Sequence, residues 1–120
     1  MSAYHIIREA IRHKHQIVAM YHGHRREMCP HSIGIKYGKP ATRGRGGKPG
    51  KPGTPDEEHA HCYQFGGTSE KGLQSDGSAD NWRCIVIADL TNVQTRPGRW
   101  HTAQIGLVSQ TCIDRIDLSV

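Results

Sequence analysis

The spacing of apolar residues predicts one helix and a β-hairpin at the start of the chain. Ser2 can cap a helix over residues 3–14, in which apolar side chains recur at three- and four-residue intervals. The period then changes, and residues 16–21 and 25–30 have the β-rich composition of two strands joined by the turn at His22-Gly23-His24. The first 30 residues are therefore predicted to form a helix followed by a hairpin.

Short strands are predicted for much of the remaining chain. In chain order they cover residues 32–37, 61–65, 82–90 with an extension over 91–95, 103–108 and 112–118. The apolar run that starts at Trp82 gives the strongest strand signal, whereas residues 112–118 also fit one turn of helix. No internal repeat is apparent, and the pattern as a whole indicates a mostly β protein with one N-terminal helix.

Residues 40–59 interrupt this pattern with an abrupt change of composition. The stretch contains four prolines, five glycines and four Lys or Arg residues, and Ala41 is its one apolar residue before it closes on three acidic side chains. Such a segment cannot offset its ordering entropy by burial. We therefore predict a flexible basic insertion within a single domain that spans residues 1–120.

Charge and cysteine content narrow the choice of partner and compartment. Sixteen Lys and Arg against eleven Asp and Glu leave a net charge of +5, which favours an anionic partner. No apolar run is long enough to span a bilayer and the first residues do not resemble a signal peptide, so a cytoplasmic protein without a membrane partner is expected. The four cysteines are far apart, and we expect them to be reduced.

Several features follow one another in a characteristic order across residues 5–39 and 60–95. They are a helix with Ala10-Ile11, a strand that ends in Tyr21, Arg26 four residues before Pro30, Ile33-Gly34, Cys62-Tyr63-Gln64, and Trp82-Arg83 at the start of an apolar strand. This order resembles the WYL domain family, whose name-giving Trp-Tyr-Leu would stand at Cys62-Tyr63-Gln64 with only the tyrosine kept. The chain departs from the family in that substitution, in the insertion, and in having no helix-turn-helix before the domain.

The resemblance implies a fold and a kind of function. The fold would be an Sm-like (SH3-like) small β-barrel that follows the N-terminal helix. Basic and polar side chains in a channel of the barrel would sense a ligand or contact nucleic acid, often in bacterial regulation or phage defence. The absence of the helix-turn-helix argues against direct transcriptional regulation.

Four residues are the candidate ligand-binding set. Arg26 and Arg83 would form an anion clamp on neighbouring strands, because a guanidinium stays charged and offers a planar fork of donors. Tyr21 and Tyr63 would place hydroxyl groups beside the anion or stack a base. The alternatives are ordinary solvated strand arginines and tyrosine rings that pack in a small barrel. Auxiliary nucleic-acid contacts are expected in the insertion, from Arg43, Arg45, Lys48 and Lys51, unless the insertion is a plain solvated linker.

Other chemistries find less support in the sequence. No nucleophile, base and orienting group occur in a recognisable order, and the stretch from Gly44 to Lys48 lacks the Ser or Thr of a phosphate-binding loop. His59 and His61 could begin a zinc site on one face of a strand, but no second ligand pair has the usual spacing. We therefore expect no metal, no cofactor and no enzymatic activity.

These observations lead to one functional hypothesis and one alternative. The first is a non-enzymatic regulatory module that recognises an anionic ligand, either a nucleotide or single-stranded DNA or RNA, and passes its occupancy to a partner protein. The alternative is a structural or assembly protein whose barrel edges pair into a homo-oligomer without a specific ligand.

Overall fold

The protein consists of one helix and six strands in an antiparallel sheet, as described by a computed structural model for residues 1–104 and 111–120. The elements are α1 (Ala3–His13), β1 (Gln16–Tyr21), β2 (His24–Lys36), β3 (Glu57–Gly67), β4 (Trp82–Val86), β5 (Leu90–Arg96) and β6 (Arg115–Ser119). Short 3-10 helices precede β4 (Ala79–Asn81) and β5 (Ile87–Asp89). The predicted class, mostly β with one N-terminal helix, is confirmed.

The helix α1 forms as its sequence predicts. The Ser2 hydroxyl oxygen accepts a hydrogen bond from the backbone N–H of His5, which caps the first turn. Its buried side, with Ile7, Ala10 and Ile11, packs on the sheet. The helix ends at His13 because Lys14 adopts the left-handed conformation with a φ of 52°.

The strand order is β4-β3-β2-β1-β5. One edge of β2 pairs with β1 along its first half and with β6 along its second half. β2 therefore contacts three other strands over its 13 residues. The predicted strands at 25–30 and 32–37 belong to this single strand, and the proline is accommodated beside a bulge, where the register with β3 shifts between Pro30 and Ser32. Along the part of the chain that the structure describes, the pairing is that of an open sheet with β4 and β5 at its two ends.

The second half of the chain differs from its predicted strands in two places. The apolar run over 82–90 is divided, because the 3-10 helix Ile87–Asp89 turns the chain between β4 and β5. In the tail, residues 103 and 104 are not in a strand and 105–110 lie outside the described residues, whereas 115–119 form β6 rather than a helical turn.

The apolar core lies between α1 and one face of the sheet. Its fully buried members include Ile7, Ile17, Met28, Ile33, Ala60, Cys62 and Ile85. A separate cluster of aromatic and histidine rings packs around Trp82, with His31 from β2 and His61 and Tyr63 from β3. Here the Trp82 ring stacks on His61, and the edge of Trp82 meets Tyr63.

The structure corrects the prediction about the cysteines. Cys84 on β4 and Cys112, just before β6, form a disulfide with their Cα atoms 5.4 Å apart. Cys29 and Cys62 are free and buried. The prediction that all four are reduced is therefore wrong for one pair, which the fold brings together across 28 residues of sequence. Within the described part of the chain, no helix is both long and apolar enough to cross a membrane.

The connection between β2 and β3 begins and ends three residues earlier than the predicted insertion, and it is paired with itself. Glu57, Glu58 and His59 belong to β3, so the connection between β2 and β3 runs from residue 37 to 56. Within it, residues 38–55 form two antiparallel arms, which we call the ribbon. All residues from 39 to 58 are exposed, and the ribbon therefore lies outside the core.

Candidate anion-binding pocket

A cavity of about 330 Å³ lies beside β4, where the turn after β1 meets the loop that follows β3. Its lining consists of Tyr21, His22, Arg26, Ser69, Glu70, Lys71, Trp82, Arg83 and Cys84. Three of the four predicted ligand-binding residues therefore share one pocket. A larger groove of about 510 Å³ lies against β6, but there the carboxylate of Asp117 already accepts hydrogen bonds from Tyr4 and Arg8.

Arg26 and Trp82 are the two residues that line this pocket and have a buried side-chain donor without a partner among the described residues, and Arg26 is the charged one. Its side chain lies over the Tyr21 ring, with Cζ 4.9 Å from the ring centroid, and the residue is only 5% exposed. The Nε–H is buried without a hydrogen-bond partner among the described residues. Burial lowers the pKa of Arg26, while Tyr21 and Glu70 act weakly in the opposite direction. An arginine remains charged under these conditions, so the pocket contains a buried cation whose Nε–H has no acceptor.

Arg83 is buried to a similar extent but fully satisfied. Its five N–H groups donate to the side-chain oxygens of Gln64 and Ser69 and to the backbone carbonyls of Gly72, Asp80 and Trp82. The residue thereby fastens the loop after β3, which forms one wall of the pocket. In this structure it contributes positive charge to the pocket but offers no free donor to a ligand.

The two arginines influence each other although they are not on neighbouring strands. Arg26 lies on β2 and Arg83 on β4, and β3 separates the two strands. Burial lowers the pKa of Arg83, and the positive charge of Arg26 lowers it further. A cavity that holds two buried like charges has a positive potential, which a bound anion would relieve.

Tyr21 supplies an aromatic surface and a hydroxyl group. Its hydroxyl oxygen accepts the backbone N–H of Val86 at 3.0 Å, which leaves the hydroxyl proton available for donation. Burial raises the pKa of Tyr21, so the proton is retained at neutral pH. The ring stacks with His22 at a centroid distance of 4.0 Å, and His22 in turn lies 3.0 Å from a carboxylate oxygen of Asp89.

Tyr63 does not line the pocket. The residue is completely buried, and its hydroxyl donates to the carbonyl of Ser78 while it accepts the backbone N–H of Gly77. Strand alternation places Gln64, its neighbour on β3, on the side of Arg83 instead. Tyr63 therefore holds the loop over residues 77–78 rather than a ligand.

Sequence reasoning did not identify the loop residues Ser69, Glu70 and Lys71 as part of the pocket. They lie in a polar stretch whose composition is that of any exposed loop, and no spacing rule connects them to β2 or β4. His22 was assigned only to a turn. The sequence offers one indirect signal for this loop. An arginine that is buried on β4 needs hydrogen-bond acceptors, and a nearby polar loop can supply them.

The predicted auxiliary cations lie elsewhere. Arg43, Arg45, Lys48 and Lys51 are exposed on the ribbon, and none of them lines the pocket. No described residue forms an ion pair with any of these four side chains.

The histidines of β3 occupy an apolar environment. Both ring nitrogens of His59 are buried without a partner among the described residues, and burial lowers the pKa of His61 to about 4. Across the described ranges, 1–104 and 111–120, no cluster of three or more His, Cys, Asp or Glu side chains could hold a metal ion.

Comparison of the chain with protein-family models, curated proteins and solved structures finds no match. The resemblance to WYL domains therefore stays a prediction.

Proposed function

We propose that the protein is a non-enzymatic module that binds an anionic ligand of nucleotide size in the pocket beside Arg26. The observation that carries this proposal is the buried guanidinium of Arg26, whose Nε–H has no acceptor among the described residues. A buried, unsatisfied donor costs about 1–3 kcal/mol, and more when the group is charged. A phosphate or carboxylate oxygen that reached this N–H from the pocket would remove this cost and release it as binding energy.

The other lining residues favour a nucleotide over a simple inorganic anion. Tyr21 has a hydroxyl proton to donate and an aromatic ring. Lys71 adds a third positive charge to those of the two arginines, and the exposed carboxylate of Glu70 can accept a hydrogen bond from a ligand hydroxyl. A nucleotide has all the matching groups, because it combines a phosphate with a base and sugar hydroxyls. The cavity is near the lower size limit of small-molecule sites, so it would accept one nucleotide, free or at one position of a single strand.

The proposed architecture is the Sm-like barrel that the WYL resemblance implies. Three features support it: the helix before β1, the order β5-β1-β2-β3-β4, and the 3-10 helix between β4 and β5. The hydrogen bond from Val86 to the Tyr21 hydroxyl would draw β4 toward the end of β1 and narrow the open side of the sheet. Ligand binding at this point would then be passed to a partner protein in a regulatory role.

A cytoplasmic location is part of the same hypothesis. The disulfide between Cys84 and Cys112 weighs against it, because structural disulfides persist mainly in oxidising compartments.

Isothermal titration calorimetry with adenosine monophosphate tests the pocket, and adenosine serves as the uncharged comparison. We expect Arg26→Gln to weaken binding of the nucleotide by about 10-fold to 100-fold, the range for a hydrogen bond to a charged group. Arg25→Gln is the matched control, because Arg25 is the next residue, carries the same charge and is exposed in an ion pair with Glu27. The proposal is refuted if both variants bind like the parent, or if adenosine binds as tightly as its monophosphate.

A second candidate function, assembly into a homo-oligomer, rests on the ends of the sheet. β4 and β5 each pair with one strand only within the described residues, and an unpaired edge can accept a strand from another copy. Sedimentation equilibrium over a wide range of protein concentration tests this alternative. A chain that remains monomeric throughout would exclude it.

A further inference from the structure

A Lys-Pro-x-Thr motif, too short to count as an internal repeat of the chain, occurs once on each arm of the ribbon, and the two copies pair with each other. Lys39-Pro40-Ala41-Thr42 on the first arm matches Lys51-Pro52-Gly53-Thr54 on the second. The backbone N–H of Thr42 donates to the carbonyl of Lys51, and the N–H of Thr54 donates to the carbonyl of Lys39, at 2.9 and 2.8 Å. In return, each threonine hydroxyl oxygen accepts the backbone N–H of the opposite lysine, at 3.0 and 2.7 Å. The two copies thus form a reciprocal pair.

Glycines allow the two arms to approach closely. A Cβ atom on Gly38, Gly44 or Gly50 would collide with a backbone carbonyl of the opposite arm. On the second arm Gly50 and Gly53 alternate with Pro49 and Pro52, whose rings hold φ at about −65°, a value of extended chain. The glycine- and proline-rich composition therefore allows the two arms to pair closely.

The tip of the ribbon is a defined turn. The backbone N–H of Lys48 donates to the carbonyl of Arg45, and both central residues, Gly46 and Gly47, have positive φ angles of 57° and 77°. These are the requirements of a type I′ turn, the preferred connection of two antiparallel arms. The ribbon is thus closed at its end by a turn that needs glycine at both positions.

The whole net charge of the chain is located on the ribbon. Residues 38–55 contain five of the sixteen Lys and Arg residues and none of the eleven Asp and Glu residues, so the eleven cations of the remaining chain balance its acids. The five cations are exposed, and no described residue forms an ion pair with them. The chain measures 56 × 31 × 29 Å, a shape that suits an element projecting from the sheet.

We infer that the ribbon is a binding arm for the sugar-phosphate backbone of duplex DNA. Its exposed cations match a row of phosphates, and a two-stranded element fits the major groove, which is about 12 Å wide. The ribbon contains no aromatic residue, which argues against binding to single strands, where bases stack on aromatic rings. It also contains no large apolar side chain that could enter a membrane. This binding does not depend on the pocket at Arg26.

The test measures binding of the full-length chain to a labelled random-sequence duplex of about 20 base pairs, two helical turns, by fluorescence anisotropy. Salt is varied from about 50 to 200 mM. The charge variant replaces Arg43, Arg45, Lys48 and Lys51 by Gln. The matched control replaces four exposed cations outside the ribbon, Arg12, Lys14, Arg99 and Arg115, by Gln, so that both variants have the same net charge.

The salt dependence distinguishes contacts from net charge. Each neutralised phosphate contributes about −0.9 to the log-log slope, so five contacts predict about −4.5 for the parent, and the one cation left in the charge variant predicts about −0.9. We expect the charge variant to lose affinity on the order of 100-fold, whereas the control keeps both slope and affinity nearly unchanged. Arg26→Gln should also leave duplex binding unchanged, which separates this inference from the pocket.

A second variant tests whether the pairing of the arms matters. Thr42→Val combined with Thr54→Val removes both hydroxyl acceptors and keeps all five charges, so we expect the slope to persist and the affinity to fall about fivefold as the ribbon loses its preorganisation. The inference is overturned if the control loses as much affinity as the charge variant. It is also overturned if, with the pocket variant Arg26→Gln, a single strand, a double-stranded RNA or a polyglutamate of the same length binds as tightly as the duplex DNA.

Discussion

The two pocket arginines should respond in opposite ways to the same substitution. Arg83 donates five hydrogen bonds, whereas Arg26 has a buried Nε–H with no acceptor among the described residues. We predict that Arg83→Gln destabilises the protein strongly and that Arg26→Gln leaves its stability within about 1 kcal/mol of the parent, or raises it. The reason is that only the first change leaves buried acceptors without a donor.

The size of the Arg83 effect follows from its acceptors. The side-chain oxygen of the completely buried Gln64 would lose the donor that Arg83 provides, at a cost of about 1–3 kcal/mol. The partly buried carbonyls of Gly72 and Asp80 would lose theirs as well, which adds about 1 kcal/mol. A loss of about 3 kcal/mol corresponds to a decrease of about 12 °C in melting temperature for a domain of this length.

Thermal and urea unfolding followed by circular dichroism would measure both variants under identical conditions. Arg83→Lys is the informative control, because it keeps the charge but not the planar fork, and we expect it to recover less than half of the loss. A melting temperature of Arg83→Gln within about 3 °C of the parent would contradict the reasoning. Equal destabilisation by both glutamine variants would contradict it as well, since Arg26 would then have partners that the structure does not show.

Three further predictions concern pH, the disulfide and the helix cap. Burial lowers the pKa of His61 from its ordinary value of 6.5 to about 4, so as the pH falls the unfolded chain is protonated at this residue before the folded chain is. The contribution of His61 to the free energy of unfolding should therefore be complete above pH 6.5 and fall by about 3 kcal/mol toward pH 4. Urea unfolding at both ends of this pH range checks the prediction, and His61→Gln should flatten the dependence of stability on pH. Cys84→Ser should lower stability by about 3 kcal/mol, because the disulfide to Cys112 closes a long loop, and intact mass under non-reducing conditions should show the bond in the parent. Ser2→Ala should cost about 1 kcal/mol in thermal unfolding, since the backbone N–H of His5 loses its acceptor, and Ser2→Asp should retain most of the stability.

Local patterns were sufficient to predict the beginning of the fold. Helix α1, the hairpin of β1 and β2, and a strand that starts at Trp82 follow from periodicity, a cap and a glycine turn, all of which act within a few residues. The division of the run over 82–90 by a 3-10 helix was not predicted, because its apolar residues serve two strands of the same core.

Long-range chemistry was predicted less well. Only the WYL resemblance placed Tyr21, Arg26 and Arg83 at a common site. The neighbouring sequence does not distinguish Arg83, which has five hydrogen-bond partners, from Arg26, which has a buried N–H without one among the described residues. The bond between Cys84 and Cys112 depends on tertiary structure alone. The pairing of the two arms of the ribbon was not predicted, because proline and glycine were counted only as sources of chain entropy, although Gly46-Gly47 between two similar arms is also a hairpin signal.

The position of β6 has a consequence for the order in which the protein can fold during synthesis. The Ser32 hydroxyl on β2 hydrogen-bonds that of Ser119 on β6, 87 residues later in the sequence. Until β6 leaves the ribosome, one edge of the second half of β2 has no partner strand. The helix and first hairpin can form early, but the sheet is completed only after residues 115–119 have emerged, and until then the nascent chain exposes a strand edge that invites misassociation.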